Sequence, residues 1–248
     1  MRSYMKLYWK EIKGTYYLYL IPFILVVVSM IWQLIYFYGM HYQKPVPDSF
    51  LRSMIVNLSI ILFPLIFGYS LYREKITKTI YQLHSLPIRN YQLMRYKFIT
   101  ALTFGMFWSF VVTLHDYIFW KIFSFILSRQ LAVINYDWLA RRFSENFSFI
   151  FMLLGIMCAL WGIVHMVKRY PVVIGILTFI LCVLFVNWSA NHIKMVTKTY
   201  LYTKMISESA ATSLSYTFLP MTANIYYFFV GSLFFIIGLF LYEKYSEV

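Results

Sequence analysis

The feature that most limits what this chain can fold into is the spacing of its charges. Asp, Glu, Lys and Arg are absent from residues 14–43, 53–72, 98–115, 146–167, 170–193 and 209–242. A helix needs about 20 mostly apolar residues to cross a hydrocarbon core about 30 Å thick. One Asp, Lys or Arg at its centre costs about 2.5–3.5 kcal/mol on insertion scales. Charge-free runs of this length therefore predict six transmembrane helices. Trimmed by hydropathy and by aromatic flanks, they cover 16–38, 53–72, 98–120, 147–167, 171–188 and 225–242. Tyr16, Tyr38, Tyr72, Trp120, Trp188 and Tyr242 fall at the edges, where an amphipathic ring keeps one side wet.

Composition closes the other fold classes. A chain that is 61% hydrophobic and 12% charged cannot cover a soluble surface with polar groups. The apolar runs are continuous and lack the ten-residue alternation of a membrane β-barrel. Cys158 and Cys182 both lie inside apolar runs, which excludes a disulfide framework and a cysteine-rich zinc site. The expectation is an all-α polytopic membrane protein, with residues 1–248 forming a single transmembrane domain.

Basic residues orient it. With the N-terminus inside, segments 1–15, 73–97, 168–170 and 243–248 carry 13 Lys and Arg, against nine in 39–52, 121–146 and 189–224. That bias places both termini in the cytoplasm of a multi-pass cell-membrane protein. Arg129, Arg141 and Arg142 on the outside dissent from it. The excess of positive charge is thereby assigned to the membrane flanks, and nucleic acid is not an expected partner. The segment following Arg2, Lys6, Lys10 and Lys13 is too long for a signal peptide and lacks a small-residue cleavage site, so it reads as a retained anchor.

Three segments outside the spans carry information. In residues 1–15, Met5, Tyr8, Trp9 and Ile12 share one helical face and the four basic residues the other, a spacing that predicts an interfacial helix lying in the headgroup layer. A plain basic flank is the alternative. The loop 73–97 has room for two short helices broken at Pro87, with Ile76, Ile80 and Leu83 lining one face of the first among Arg73, Glu74, Lys75 and Lys78. A narrow apolar stripe in a charged surround fits a partner's groove, though solvated connectors can look the same. The loop 189–224 is long, and its second half, Ser209 to Asn224, carries no charge. Re-entrant helices and a surface hairpin both suit it.

Within the loop 73–97, Glu74, Thr79, Leu83, the run Ser85-Leu86-Pro87-Ile88-Arg89 and Lys97 resemble the cytoplasmic loop of permease subunits of type 2 ABC exporters. Order and spacing match; Lys78 stands where that family often has Gly. The motif likeness covers about 25 residues, while six spans, an N-terminal interfacial helix and a long outer loop extend it to the architecture. The resemblance implies a coupling helix, with Glu74, Ile76, Thr79, Ile80, Leu83, Leu86, Pro87 and Arg89 as the contact with an ATP-binding cassette ATPase. It also implies a second permease subunit, identical or related, and re-entrant outer helices acting as an external gate. ATP and magnesium would sit on the partner ATPase, and no cofactor on this chain. Within the family, exporters of phenol-soluble modulins or antimicrobial peptides in Gram-positive bacteria are the nearest likeness.

The residues themselves fit a driven conduit. The trimmed spans contain one ionisable Asp, Glu, Lys or Arg, Asp116, so no mid-membrane relay for a coupling ion is visible. No Gly is followed by Lys, so there is no phosphate-binding loop of the Gly-Lys-Ser/Thr kind. Any uphill transport must draw its energy from another polypeptide, and this chain is not expected to be an enzyme. Walls of Phe, Tyr, Ile and Leu suit an apolar or amphipathic substrate such as a peptide. The reading from a different class is a non-transporting membrane scaffold or sensor that recruits a cytoplasmic regulator.

His115 beside Asp116 invites a catalytic or metal reading, with His165 and His192 as partners. The topology separates these histidines between the two faces, and no cluster of polar groups at one depth is evident. The pair reads as a satisfied interfacial contact, with no catalytic or metal residue assigned. Pro22 and Pro64 lie within spans as potential kinks. Gly155/Ala159 and Gly105/Ser109 give small-xxx-small spacings, read as packing inside the bundle rather than as a dimer seam.

Overall fold

The computed structural model describes residues 2–39, 49–76, 90–126, 136–167, 170–192, 200–205, 213–218 and 221–245. Among the described residues six helices form the framework: α1 Arg2–Gly39, α2 Ser49–Ile76, α3 Asn90–Ile126, α4 Tyr136–Met166, α5 Pro171–His192 and α6 Met221–Tyr245. Each expected span falls within one of them, save that 147–167 runs one residue past Met166. Five contain stretches long and apolar enough to cross a membrane, as a multi-pass membrane protein requires, and α2 contributes a shorter apolar stretch, Leu58–Arg73.

The helices alternate in direction along the chain. The start of α1, the ends of α2, α4 and α6 and the start of α3 share one end of the bundle, here the near end. Contacts that fix this include Lys97 with Glu11 and Ser70, and His165 with Tyr242.

α4 is the hub, packing against α2, α3, α5 and most extensively α6. α4 and α6 run parallel, and glycines recurring seven residues apart on each meet across the contact. A Cβ on Gly155 would collide with the Gly231 carbonyl oxygen, and one on Gly162 would stand 2.8 Å from that of Gly238. From the other side, a Cβ on Gly231 would lie 2.9 Å from the Met152 Cα, and one on Gly238 would strike the Cys158 carbonyl group. Lipid is as apolar as leucine, so helices associate in it through close packing, and paired glycines let two backbones touch. Gly105 opens α3 to Ile150 of α4 in the same way, at 2.8 Å. Both small-residue spacings thus pack helices within the bundle.

Elsewhere the core is aromatic. Tyr19 of α1 stacks on Phe104 of α3 at 4.5 Å between centroids and lies 6.0 Å from Phe63 of α2. Phe98 of α3 stacks on Phe235 of α6 at 4.1 Å. α5 stands apart: only 6% of its apolar window is buried, against 56% for α4. It enters through Tyr170, held at φ 58°, whose carbonyl accepts the Ile174 N–H and so begins the first turn. Near its other end, Ser189 and Tyr226 of α6 share a short hydrogen bond, and the Tyr226 hydroxyl also donates to the Val186 carbonyl.

Two expectations are corrected, and the choice left open for segment 189–224 is narrowed toward the hairpin. The N-terminal segment is not a separate interfacial helix but the first part of α1, continuous through residues 14–16. Its Tyr8 hydroxyl donates to Thr103 of α3, and its Glu11 pairs with Lys97, so contacts within the bundle hold it in line with the span. Arg141 and Arg142 are not in a loop: α4 begins at Tyr136, well before residue 147, since Arg142 finds carboxylates to pair with. The segment 189–224 shows no re-entrant helix among its described residues. After the last turns of α5, it forms an antiparallel ribbon of β1, Tyr200–Met205, and β2, Ser213–Phe218, with Tyr200 opposite Phe218 and Met205 opposite Ser213. Each strand of such a two-stranded ribbon pairs along one edge and leaves the N–H and C=O groups of its other edge to water, which suits a loop outside the hydrocarbon core.

Candidate functional site

Most of the residues expected to contact an ATPase, Thr79, Ile80, Leu83, Leu86, Pro87 and Arg89, lie outside the described residues. Glu74 and Ile76 close the last turn of α2, with their side chains and that of Met5 likewise outside. The structure does describe what that segment is anchored to. On its far side the chain re-enters the bundle through α3, where Lys97 has a side chain only 1% exposed. Its ammonium donates to Glu11 Oε1 of α1 at 2.8 Å and reaches the Ser70 carbonyl of α2 at 3.4 Å. On the near side Arg73, at the end of α2, donates to the Gly14 carbonyl at 3.4 Å and the Tyr17 hydroxyl at 3.2 Å. The end of α2 and the start of α3, which flank segment 77–89, are therefore both tied to α1, at points three to six residues apart along it.

Of the four expected anchor residues, Tyr8 bonds across to Thr103 at 3.1 Å, Trp9 is exposed and Ile12 half-buried. Sequence reasoning missed Glu11. The signal was available: it is the sole acidic residue before Asp48, and it interrupts a basic tract.

A second ionic cluster lies at the opposite end of the bundle. The Asp116 carboxylate of α3 faces His115 Nδ1 at 3.2 Å and the Arg142 Nε of α4 at 3.5 Å. Arg142 also donates to Glu145 at 3.2 Å. Ser148 donates to the Glu145 carbonyl and to Asn224 of α6, and the Asn224 amide donates to Ser144. His115, Asp116, Glu145 and Asn224 are all buried. A cluster of polar groups at one depth does exist, contrary to expectation. It escaped notice because its members come from helices far apart in sequence. His165 is elsewhere, packed between Trp161 and Tyr242 at the near end.

The two clusters lie 19 residues apart along α3, from Lys97 to Asp116, which is about 28 Å of helix rise. That is close to the thickness of a hydrocarbon core. Among the described residues, buried charge thus stands toward the two ends of the bundle and not at its middle, where desolvation in a membrane costs most. Among the described residues no group of three His, Cys, Asp or Glu side chains is arranged to hold a metal.

In the far cluster Arg142 bridges two buried carboxylates. Replacing it with Gln is expected to destabilise the bundle by about 1–3 kcal/mol, because Asp116 and Glu145 lose a charged donor together. Asn224→Ala should cost about 1 kcal/mol. Thermal unfolding in detergent measures both; an unchanged midpoint for Arg142→Gln would show that the cluster is not held by that guanidinium. Against known protein families, curated proteins and solved structures, the chain has no match in any of the three comparisons.

Proposed function

We propose that this chain is the transmembrane subunit of an ATP-driven exporter of apolar or amphipathic substrates, with a peptide the best fit to its aromatic and aliphatic walls. Hydrolysis of ATP with magnesium takes place on separate ATPase subunits, which dock on the segment Glu74 to Arg89. A second permease subunit completes the pathway, and both termini lie in the cytoplasm. The observation that carries this reading is the wiring of the loop roots. A push on segment 77–89 acts at Arg73 and at Lys97, and through Gly14, Tyr17 and Glu11 it reaches α1, α2 and α3 at once. A solvated connector has no need of a buried ion pair at its base. The likeness of the segment to permease coupling loops supports the same reading.

Purification in mild detergent should bring an ATP-binding cassette protein with the chain. Ala at Ile80, Leu83 and Arg89 should weaken that association by about 30-fold or more, the effect of losing an interface hot spot, while membrane insertion is unaffected. Recovery of a regulator with no nucleotide-binding subunit would instead favour the scaffold reading, and unimpaired ATPase binding by the triple variant would sink the docking assignment.

A further inference from the structure

Lys6, Lys10 and Lys13 are exposed on α1. At 100° per residue they fall, with Tyr17, within about 60° of one another on a single stripe of the helix. Glu11, Thr15 and Tyr19 point the other way, into the bundle, where Glu11 is engaged by Lys97. Glu11 is also the sole carboxylate in the first 47 residues, so its inward turn leaves this stripe with no acidic side chain of its own helix. Arg73 reaches across from α2 to the Gly14 carbonyl and the Tyr17 hydroxyl, and so brings a fourth cation to the end of the stripe nearer the membrane centre.

The surroundings of the stripe specify its depth. Glu11, in its middle, is level with Lys97 at the border of the apolar slab. Trp9 and Tyr16 beside it are about half exposed, at 55% and 51%, as rings at a headgroup level are. Further along α1, the exposed Leu20, Ile21 and Ile24 begin an apolar surface that faces hydrocarbon. From Lys6 to Lys13 the helix rises about 10 Å, comparable with the polar layer of one leaflet.

We infer that Lys6, Lys10, Lys13 and Arg73 form a docking surface for anionic phospholipid headgroups of the leaflet at the near end. The occupant follows from charge and position: three exposed lysines on a stretch of α1 whose one carboxylate, Glu11, is engaged by Lys97, with Arg73 beside them, at phosphate depth and next to lipid-facing apolar side chains. A zwitterionic headgroup offers no net charge to such a surface. Because Arg73 ties α1 to the end of α2 and Glu11 ties it to the start of α3, a bound headgroup sits against the junction of these three helices. The inference does not depend on the chain being an exporter.

The test is lipid titration of the detergent-purified chain, with bound phosphatidylglycerol and phosphatidylcholine counted by native mass spectrometry. Wild type should retain phosphatidylglycerol selectively. Each lysine at an anionic surface is worth about fivefold in affinity, so K6Q/K10Q/K13Q should lose about 100-fold and K10Q alone about fivefold. The control R95Q/K244Q, which removes two exposed cations at the same end, should keep the selectivity. Equal binding of the two lipids by wild type, full selectivity in the triple variant, or equal losses in the triple variant and the control would each overturn the site.

Discussion

Gly155→Val is expected to prevent α4 and α6 from assembling, and Gly155→Ala to cost about 3 kcal/mol, the upper part of the range for overpacking a core. The first atom added at Gly155 meets the carbonyl oxygen of Gly231, which is backbone and cannot turn aside as a side-chain tip would. Gly238→Ala should act alike, since its new Cβ meets the Cys158 carbonyl group. Gly68→Ala provides a milder comparison: its Cβ would come within 2.6 Å of the Met157 methyl, the flexible end of a long side chain. Gly14→Ala should be neutral or stabilising by up to about 1 kcal/mol, because nothing lies within 4 Å of the new atom and alanine favours helix. Thermal unfolding in detergent, with size exclusion to detect loss of the folded monomer, ranks the four. If Gly155→Ala and Gly14→Ala behave the same, the parallel glycine seam is wrong.

Breaking the pair at the near end should have the second large effect. Lys97→Met leaves the Glu11 carboxylate, 12% exposed, facing an apolar side chain, and Glu11→Leu strands an ammonium that is almost fully buried. Removing one partner of a buried ion pair costs about 3–5 kcal/mol, whereas replacing both with apolar groups of similar volume is often near neutral. The double variant Glu11→Leu/Lys97→Met should therefore recover most of the stability lost in either single one. Activity separates the two roles of the pair. Under the proposed exporter function, a tie that also transmits motion should leave the double variant stable but deficient in ATP-dependent efflux. Additive losses in the double-mutant cycle would show that Glu11 and Lys97 do not interact.

What was legible in the sequence was whatever the bilayer constrains locally. A run without charge is a span whatever packs against it, because the cost of inserting a charge is set by the solvent and not by the neighbouring helix. Gly155/Ala159 and Gly105/Ser109 could likewise be read as packing surfaces, since a helix displays residues four apart on one face. Their partners could not be read. Nothing near Gly155 in the chain points to Gly231, and the match of the two seven-residue glycine spacings acquires meaning once α4 and α6 are known to run side by side. The same gap hid the polar cluster at the far end. Asp116 looked like an isolated charge with a neighbouring histidine, and Arg142 like an anomaly of topology, until α3 and α4 brought them within 3.5 Å.

Hydropathy acts on each helix alone, so the six apolar spans, and their lack of any Asp, Glu, Lys or Arg but Asp116, could be read from the sequence. Tertiary structure alone decided that α1 is one helix from Arg2 onward, that α4 is the hub, and that the charges at the two borders are paired. Pairing depends on distances between residues as far apart as Glu11 and Lys97, and such distances follow from the order in which helices pack, a property of the whole bundle and of no single segment.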